Sequence, residues 1–261
     1  MTAGYVGRQV AALDDDVAAV RRREPEGVHH ARIDCRRLRA VLGTHDGVGA
    51  LRDELRWLGD QLSEARDRYV VHQLLTRMLL EEPRDLVADT VVRRIERTYG
   101  GAQPVPEALG SPRFVALRTG LGSLAPDAGV HRARVRRELD RVAARYEQAV
   151  AHGDDLAMHD LRKAAKRLRY VAEAWEEGDG ADARRLVRAA KRLTQHLGDR
   201  QDTVVVRAHL VRLAAEAAAA GEPTFTYGRL HARAQARAEA LDAALPAVWE
   251  RFTGPATRST C

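Results

Sequence analysis

Lysine is scarce in this chain: of 43 basic residues only Lys163, Lys166 and Lys191 are lysines, and the rest are arginines. Aromatic residues make up 5% of the sequence, too few for the stacking platforms of single-stranded nucleic-acid binders. There are two cysteines, Cys35 inside a helical pattern and Cys261 at the last position, so no disulfide framework is implied and a reducing compartment is the natural setting. No apolar run approaches the roughly 20 residues of a membrane span, and MTAGYVGRQVAALDDD has no apolar leader core. A cytoplasmic protein that does not enter a membrane is expected. Glycine and proline are sparse and β-branched runs are short, so no strand is expected anywhere.

What is abundant is alanine, leucine, arginine and glutamate, a helical composition. Hydrophobic content of 45% with 31% charged residues fits a globular protein with a proper core. A 3.6-residue apolar period predicts helices at about 4–23, 28–43, 47–82, 84–99, 111–124, 127–152, 155–177, 181–220 and 226–252. Their breaks are marked by REPEG, GTHDG, EEP, GDGAD and GEP. TYGGAQPVPEALGSP, 98–112, reads as a loop with at most one short turn. The net charge of +6 is small against 43 basic and 37 acidic residues, so the placement of charge matters more than its sum.

That placement repeats. VHHARIDCRRLRAVL at 28–42 aligns with MHDLRKAAKRLRYVA at 158–172, setting His29 on His159, Arg32 on Arg162, Arg36 on Lys166, Arg37 on Arg167 and Arg39 on Arg169. LRWLGDQLSEARDRYVV at 55–71 aligns with AKRLTQHLGDRQDTVVV at 190–206, setting Arg56 on Lys191. So long a period excludes a solenoid and predicts two similar halves, about 4–125 and 126–255, most simply four antiparallel helices each.

With His159 at 0° and about 100° per residue, Lys163, Lys166, Arg162 and Arg169 fall at about 40°, 340°, 300° and 280°, with Arg167 at the edge and Tyr170 near 20°. Leu161, Ala165, Leu168 and Ala172 lie opposite, and the first half repeats both faces. Asp34 and Asp160 fall outside the arc. Each helix therefore has a core face and an unmixed cationic face. One such stripe in an arginine-rich chain reads first as a solvated surface. Its recurrence at the same phase, with all three lysines on or beside it, favours an anion.

A single exposed ion contact at 4 Å is worth only about 1 kcal/mol in water, so useful affinity needs many contacts and a long polyanion. Arginine offers a planar fork to two oxygens. His29 and His159 are expected in the first turns of their helices, where free N–H groups favour anions and a protonated imidazole donates well. Duplex DNA held by phosphate contacts alone is the alternative partner; no zinc-finger spacing or RNP motif is present.

The pattern H-x-x-R-x-x-x-R/K-R-L-R, twice in an all-helical chain, resembles the CHAD family, the conserved histidine α-helical domain. LSEARDRYVV, LGDRQDTVVV and YGRL at 227–230 fit the resemblance, which covers nearly the whole chain as a single domain, 1–261. It implies an all-α fold of two antiparallel four-helix bundles related by pseudo-twofold symmetry, with a basic central channel. It implies binding of inorganic polyphosphate and association with polyphosphate granules, without catalysis. Carried over, the ligand residues are His29, Arg32, Arg36, Arg37, Arg39 and Arg56, then His159, Arg162, Lys163, Lys166, Arg167, Arg169 and Lys191. Sulfate or phosphate ions would be natural occupants in crystals. Ile33 stands where the second half has Lys163, Gln201 where the first has Arg66, and Trp57 where the second has Arg192, so the halves need not bind equally.

CHAD domains often follow a triphosphate-processing CYTH domain, yet its E-x-E-x-K signature does not occur here. Neither does G-x-x-x-x-G-K-[ST] or H-E-x-x-H. No cofactor and no metal site is expected, and Asp14, Asp15 and Asp16 read as a solvated helix turn rather than a cation site.

Overall fold

The computed structural model describes residues 4–24, 26–42, 48–83, 89–101, 104–124 and 132–254, without the side chains of 64, 65 and 176–180. Over these residues the chain is all-α: α1 (Tyr5–Arg21), α2 (Gly27–Leu42), α3 (Gly49–Gln61), α4 (Ser63–Leu80), α5 (Asp89–Tyr99), α6 (Pro112–Gly122), α7 (Arg132–His152), α8 (Asp155–Ala219) and α9 (Phe225–Phe252).

The expected REPEG break is a tight turn. Arg23 takes a left-handed φ of 59°, and α2 starts at Gly27, where an added Cβ would lie 2.7 Å from the Val20 nitrogen. Only glycine lets α2 begin so close to the end of α1. The GTHDG break at 43–47 lies outside the described residues. In the 98–112 segment, α5 ends at Tyr99 and a short 3₁₀ turn, Glu107–Gly110, leads to α6. The Ser111 hydroxyl accepts from the Phe114 N–H and caps α6, with Pro112 following it.

Two boundaries differ from expectation. The helix expected over 47–82 is interrupted at Leu62, which is fully buried. There the Ser63 hydroxyl donates to the Gly59 carbonyl at 2.9 Å, an alternative to the helical ladder. Conversely, the GDGAD break expected at 178–182 is absent, and α8 runs unbroken for 65 residues. A glycine inside a helix costs about 1 kcal/mol relative to alanine, which buried Ala174, Trp175, Ala183 and Leu186 on either side outweigh. The long helix ends in a glycine cap: Gly221 has φ of 68°, and the Glu222 N–H donates to the Ala217 carbonyl at 2.9 Å.

The chain divides into two compact units: Met1–Arg66 with Gln103–Thr194 and Glu250–Cys261, and Asp67–Ala102 with Gln195–Trp249. They do not follow the sequence halves 4–125 and 126–255. Each unit instead draws a stretch from both copies of the repeat.

In the first unit α1 packs on α2, α2 on α3, and α6 on α1 and α3. Its core includes Leu13, Val17, Val28, Ala31, Cys35, Leu38, Leu55, Leu58, Phe114 and Leu117. The core stripe of α2 recurs in α8, where Met158, Leu161, Ala165, Leu168 and Ala172 are all buried. Each buried leucine contributes about 1.5–3 kcal/mol. The second unit is built on Val71, Leu75, Ile95, Leu210, Leu213, Tyr227 and Leu230. Several of its arginines are paired within it: Arg94 with Glu222 at 2.8 Å, Arg229 with Glu82 at 2.6 Å and Arg200 with Asp242 at 3.1 Å.

Candidate functional site

All thirteen residues picked out in the sequence fall in the first unit. His29, Arg32, Arg36, Arg37 and Arg39 stand on α2, Arg56 on α3, and His159, Arg162, Lys163, Lys166, Arg167, Arg169 and Lys191 on α8. The two basic helices meet at an acid. Glu173 of α8 accepts from Arg37 of α2 at 3.1 Å and pairs with Arg169 at 3.1 Å.

The cationic faces are therefore not unmixed, which corrects the sequence reading. Arg37 also pairs with Asp34 at 3.3 Å, Arg167 with Glu138 of α7 at 2.8 Å, and Lys163 with Asp160 at 3.0 Å. At least Arg37, Lys163, Arg167 and Arg169 thus carry a carboxylate partner. Glu173 was legible: at about 320° on the same wheel it lies inside the arc, one turn beyond Arg169. Glu138 was not, because it arrives from another helix. Tyr170, expected on the arc, is buried at 3% exposure beneath the Arg169 guanidinium, 5.0 Å from the ring centre.

The two histidines also part company. His29 is in the first turn of α2 and half-buried. Burial, then Arg66, His30 and Arg36, push its value down to about 4 against the opposing pull of Glu26, so it is neutral at pH 7. A phosphate there meets a neutral ring, which donates less strongly than the protonated form. His159 lies in the second turn of α8, whose start is already occupied: Asp154 accepts from the Ala157 N–H at 2.7 Å. An anion at that helix end would meet a carboxylate rather than free N–H groups.

Positive charge gathers where α2 meets α3. Arg52 and Arg56 sit one turn apart on α3, and Arg39 is in the last turn of α2. Burial and the charges of Arg56 and Arg52 hold Arg39 below its usual value, with Asp60 opposing. Arg134 of α7 closes the α2 end, donating to the Val41 carbonyl at 2.6 Å and to that of Ala40. Burial, with Arg167, Arg137 and Arg52 near it and Glu138 opposing, lowers Arg134 to about 10. In the second copy the counterparts of Arg39 and Arg56 are not brought together by a turn. Arg169 and Lys191 are 22 residues apart on one helix, about 33 Å along its axis. Arg52 escaped the repeat comparison because its counterpart is Val187.

The aspartates of α1 are not a solvated turn throughout. Asp14 accepts from Arg118 at 2.6 Å, and Asp16 lies beside the buried Asp34. Burial and then Asp16 raise Asp34 to about 7, with Arg37 opposing. Among the described residues no group of three or more His, Cys, Asp or Glu is placed to hold a metal ion, and no helix is long and apolar enough to cross a membrane.

With this geometry in view, comparison with known proteins identifies the family. The CHAD domain profile matches residues 4–211, and the chain belongs to the CHAD domain family, some members of which bind polyphosphate. Its fold is similar to the crystal structure of the CHAD domain from the plant Ricinus communis, with a TM-score of 0.65 and 23% identity over 95% of this chain and 89% of that one. It is similar also to PptA from Streptomyces chartreusis, with a TM-score of 0.72 and 20% identity over 95% and 97% of the two chains. The Mycobacterium tuberculosis protein Rv2226 (strain H37Rv) is 35% identical over 258 residues, 87% of this chain and 49% of that protein. MT2285 of strain CDC 1551 gives the same identity and coverage. The chain spans about half the length of these curated relatives.

Proposed function

We propose that this domain binds inorganic polyphosphate along the basic faces of α2 and the first part of α8, without hydrolysing it, and that this binding recruits it to polyphosphate granules. The observation that carries the reading is the gathering of both copies of the basic motif into one compact unit, at the same phase relative to their core stripes. A flexible strand of phosphates can follow such faces, gaining a modest contact at each turn. Scarce aromatic residues favour a ligand without bases to stack. Cleavage of a phosphoanhydride needs an activated water, from a metal or a positioned base. The sequence carries no motif for either, and binding alone is the function proposed.

The test is competition at several salt concentrations, with long-chain polyphosphate, duplex DNA and RNA titrated against the full chain. Polyphosphate should win at equal phosphate concentration; displacement of polyphosphate by DNA would make the domain a nucleic-acid binder instead. The double variant Arg36→Glu with Lys166→Glu should lose most polyphosphate binding and granule targeting while keeping its circular dichroism spectrum and melting temperature. Incubation with polyphosphate and magnesium should release no phosphate, and steady release would overturn the non-catalytic reading.

A further inference from the structure

We infer that the corner formed by Arg39 of α2 with Arg52 and Arg56 of α3 is an end anchor: it takes the terminal phosphate of a linear phosphate chain, while the helix faces take internal ones. This rests on the proposed polyphosphate reading and adds Arg52, which the repeat does not carry.

The argument is one of charge geometry. Along α2 and α8 the cations are spaced by helical turns, and Arg37, Lys163, Arg167 and Arg169 already have carboxylate partners. At the corner three guanidiniums are grouped instead. Arg52 and Arg56 are neighbours on one helix face, α3 packs against α2, and Arg39 occupies the adjoining last turn. Arg52 is half-buried, and its Nε is shut off from solvent with no hydrogen-bond partner among the described residues. Two of the last carbonyls of α2, those of Ala40 and Val41, which would repel an anion, are covered by Arg134. Among the described residues, Asp60 is the main acid that opposes this field at Arg39, with a smaller contribution from Cys35.

The two kinds of phosphate in a linear chain differ in what they ask for. An internal phosphate, bonded to two neighbours, keeps one negative charge and two free oxygens. A terminal one resembles a phosphomonoester, with about −1.5 to −2 charge at pH 7 and three strong acceptor oxygens. A row of separated cations suits the first. A group of three arginines suits the second.

The experiment compares linear tripolyphosphate with cyclic trimetaphosphate, which has as many phosphorus atoms and no ends. Calorimetric titrations of the full chain would use wild type, Arg52→Val (the residue at the counterpart position) and Arg52→Lys, with long-chain polyphosphate in parallel. Wild type should prefer the linear ion at least tenfold. R52V should cut that preference at least threefold while weakening long-chain binding less than twofold, and R52K should fall between. The linear ion carries more charge, so the change in ratio on substitution is decisive. Equal weakening of linear and cyclic ions by R52V would overturn the anchor and leave a diffuse field. Where R52V lowers the melting temperature, R52K decides alone. Long-chain binding with no linear preference would sink the anchor only; no long-chain binding by wild type would sink the function on which it rests.

Discussion

The two copies of the repeated sequence fold differently. Residues 28–71 form α2, α3 and the start of α4, whereas 158–206 are part of the single helix α8. Both copies keep the same buried stripe, so the alternation of core and charge is insensitive to the difference. What changes is which cations become neighbours. The first copy folds Arg39 toward Arg52 and Arg56, while the second strings Arg169 and Lys191 along one axis. The acids differ too: Glu173 sits inside the arc of α8, and its counterpart is Gly43, which has no side chain to offer. Two copies of one motif have become a dense corner and a partly neutralised rod.

The largest test probes what the copies share. Leu38 and Leu168 are counterparts and both fully buried. Truncating either to alanine should cost about 3 kcal/mol in urea unfolding, by roughly equal amounts. A loss at one site alone would show that the stripes are not equivalent in the core.

A second test is a pH effect confined to the first copy. Asp34 has a folded value of about 7 against an ordinary 3.8, whereas its counterpart is Ala164. The native state therefore favours the protonated acid. Its contribution to stability is full below about pH 4 and is lost as pH rises through about 7. Unfolding free energies between pH 4 and 8 should fall with this slope in wild type, and Asp34→Asn should flatten it. An unchanged slope in D34N would assign the effect to other groups.

Binding separates the copies further. Arg39→Glu should weaken linear tripolyphosphate about tenfold, some 1.4 kcal/mol, and Arg169→Glu only about threefold because Glu173 already holds it. Anisotropy titrations at fixed salt measure both, and the reverse order would break the comparison. The smallest effect is a gain: Glu173→Gln should tighten binding about two- to threefold by releasing Arg169 and Arg37, near the size of one exposed ion pair.

Much of this was legible in the sequence. Periodicity located the helices, and the repeat located both basic faces and the core stripes beneath them. The misreadings have physical causes. Gly178 and Gly180 promised a break, but a helix absorbs glycines when its flanks are buried. Leu62 gave no warning, because the interruption comes from a hydroxyl one residue on. Asp34 lay outside the cationic arc, as read, but the wheel could not show that a second aspartate from α1 would face it. Residues acting across helices, Glu138 and Arg134 above all, carry no local signal. Arg52 had one, four residues before Arg56, yet comparing repeats discards whatever the other copy lacks.

The rarity of lysine gives the experimenter a built-in reporter. Lys163 and Lys191 are exposed and Lys166 half-buried, and no other ε-amines exist in the chain. Amine-directed acylation followed by mass spectrometry would thus footprint this surface against an almost silent background. Three peaks whose intensities drop on adding a polymer would map its path without any mutation.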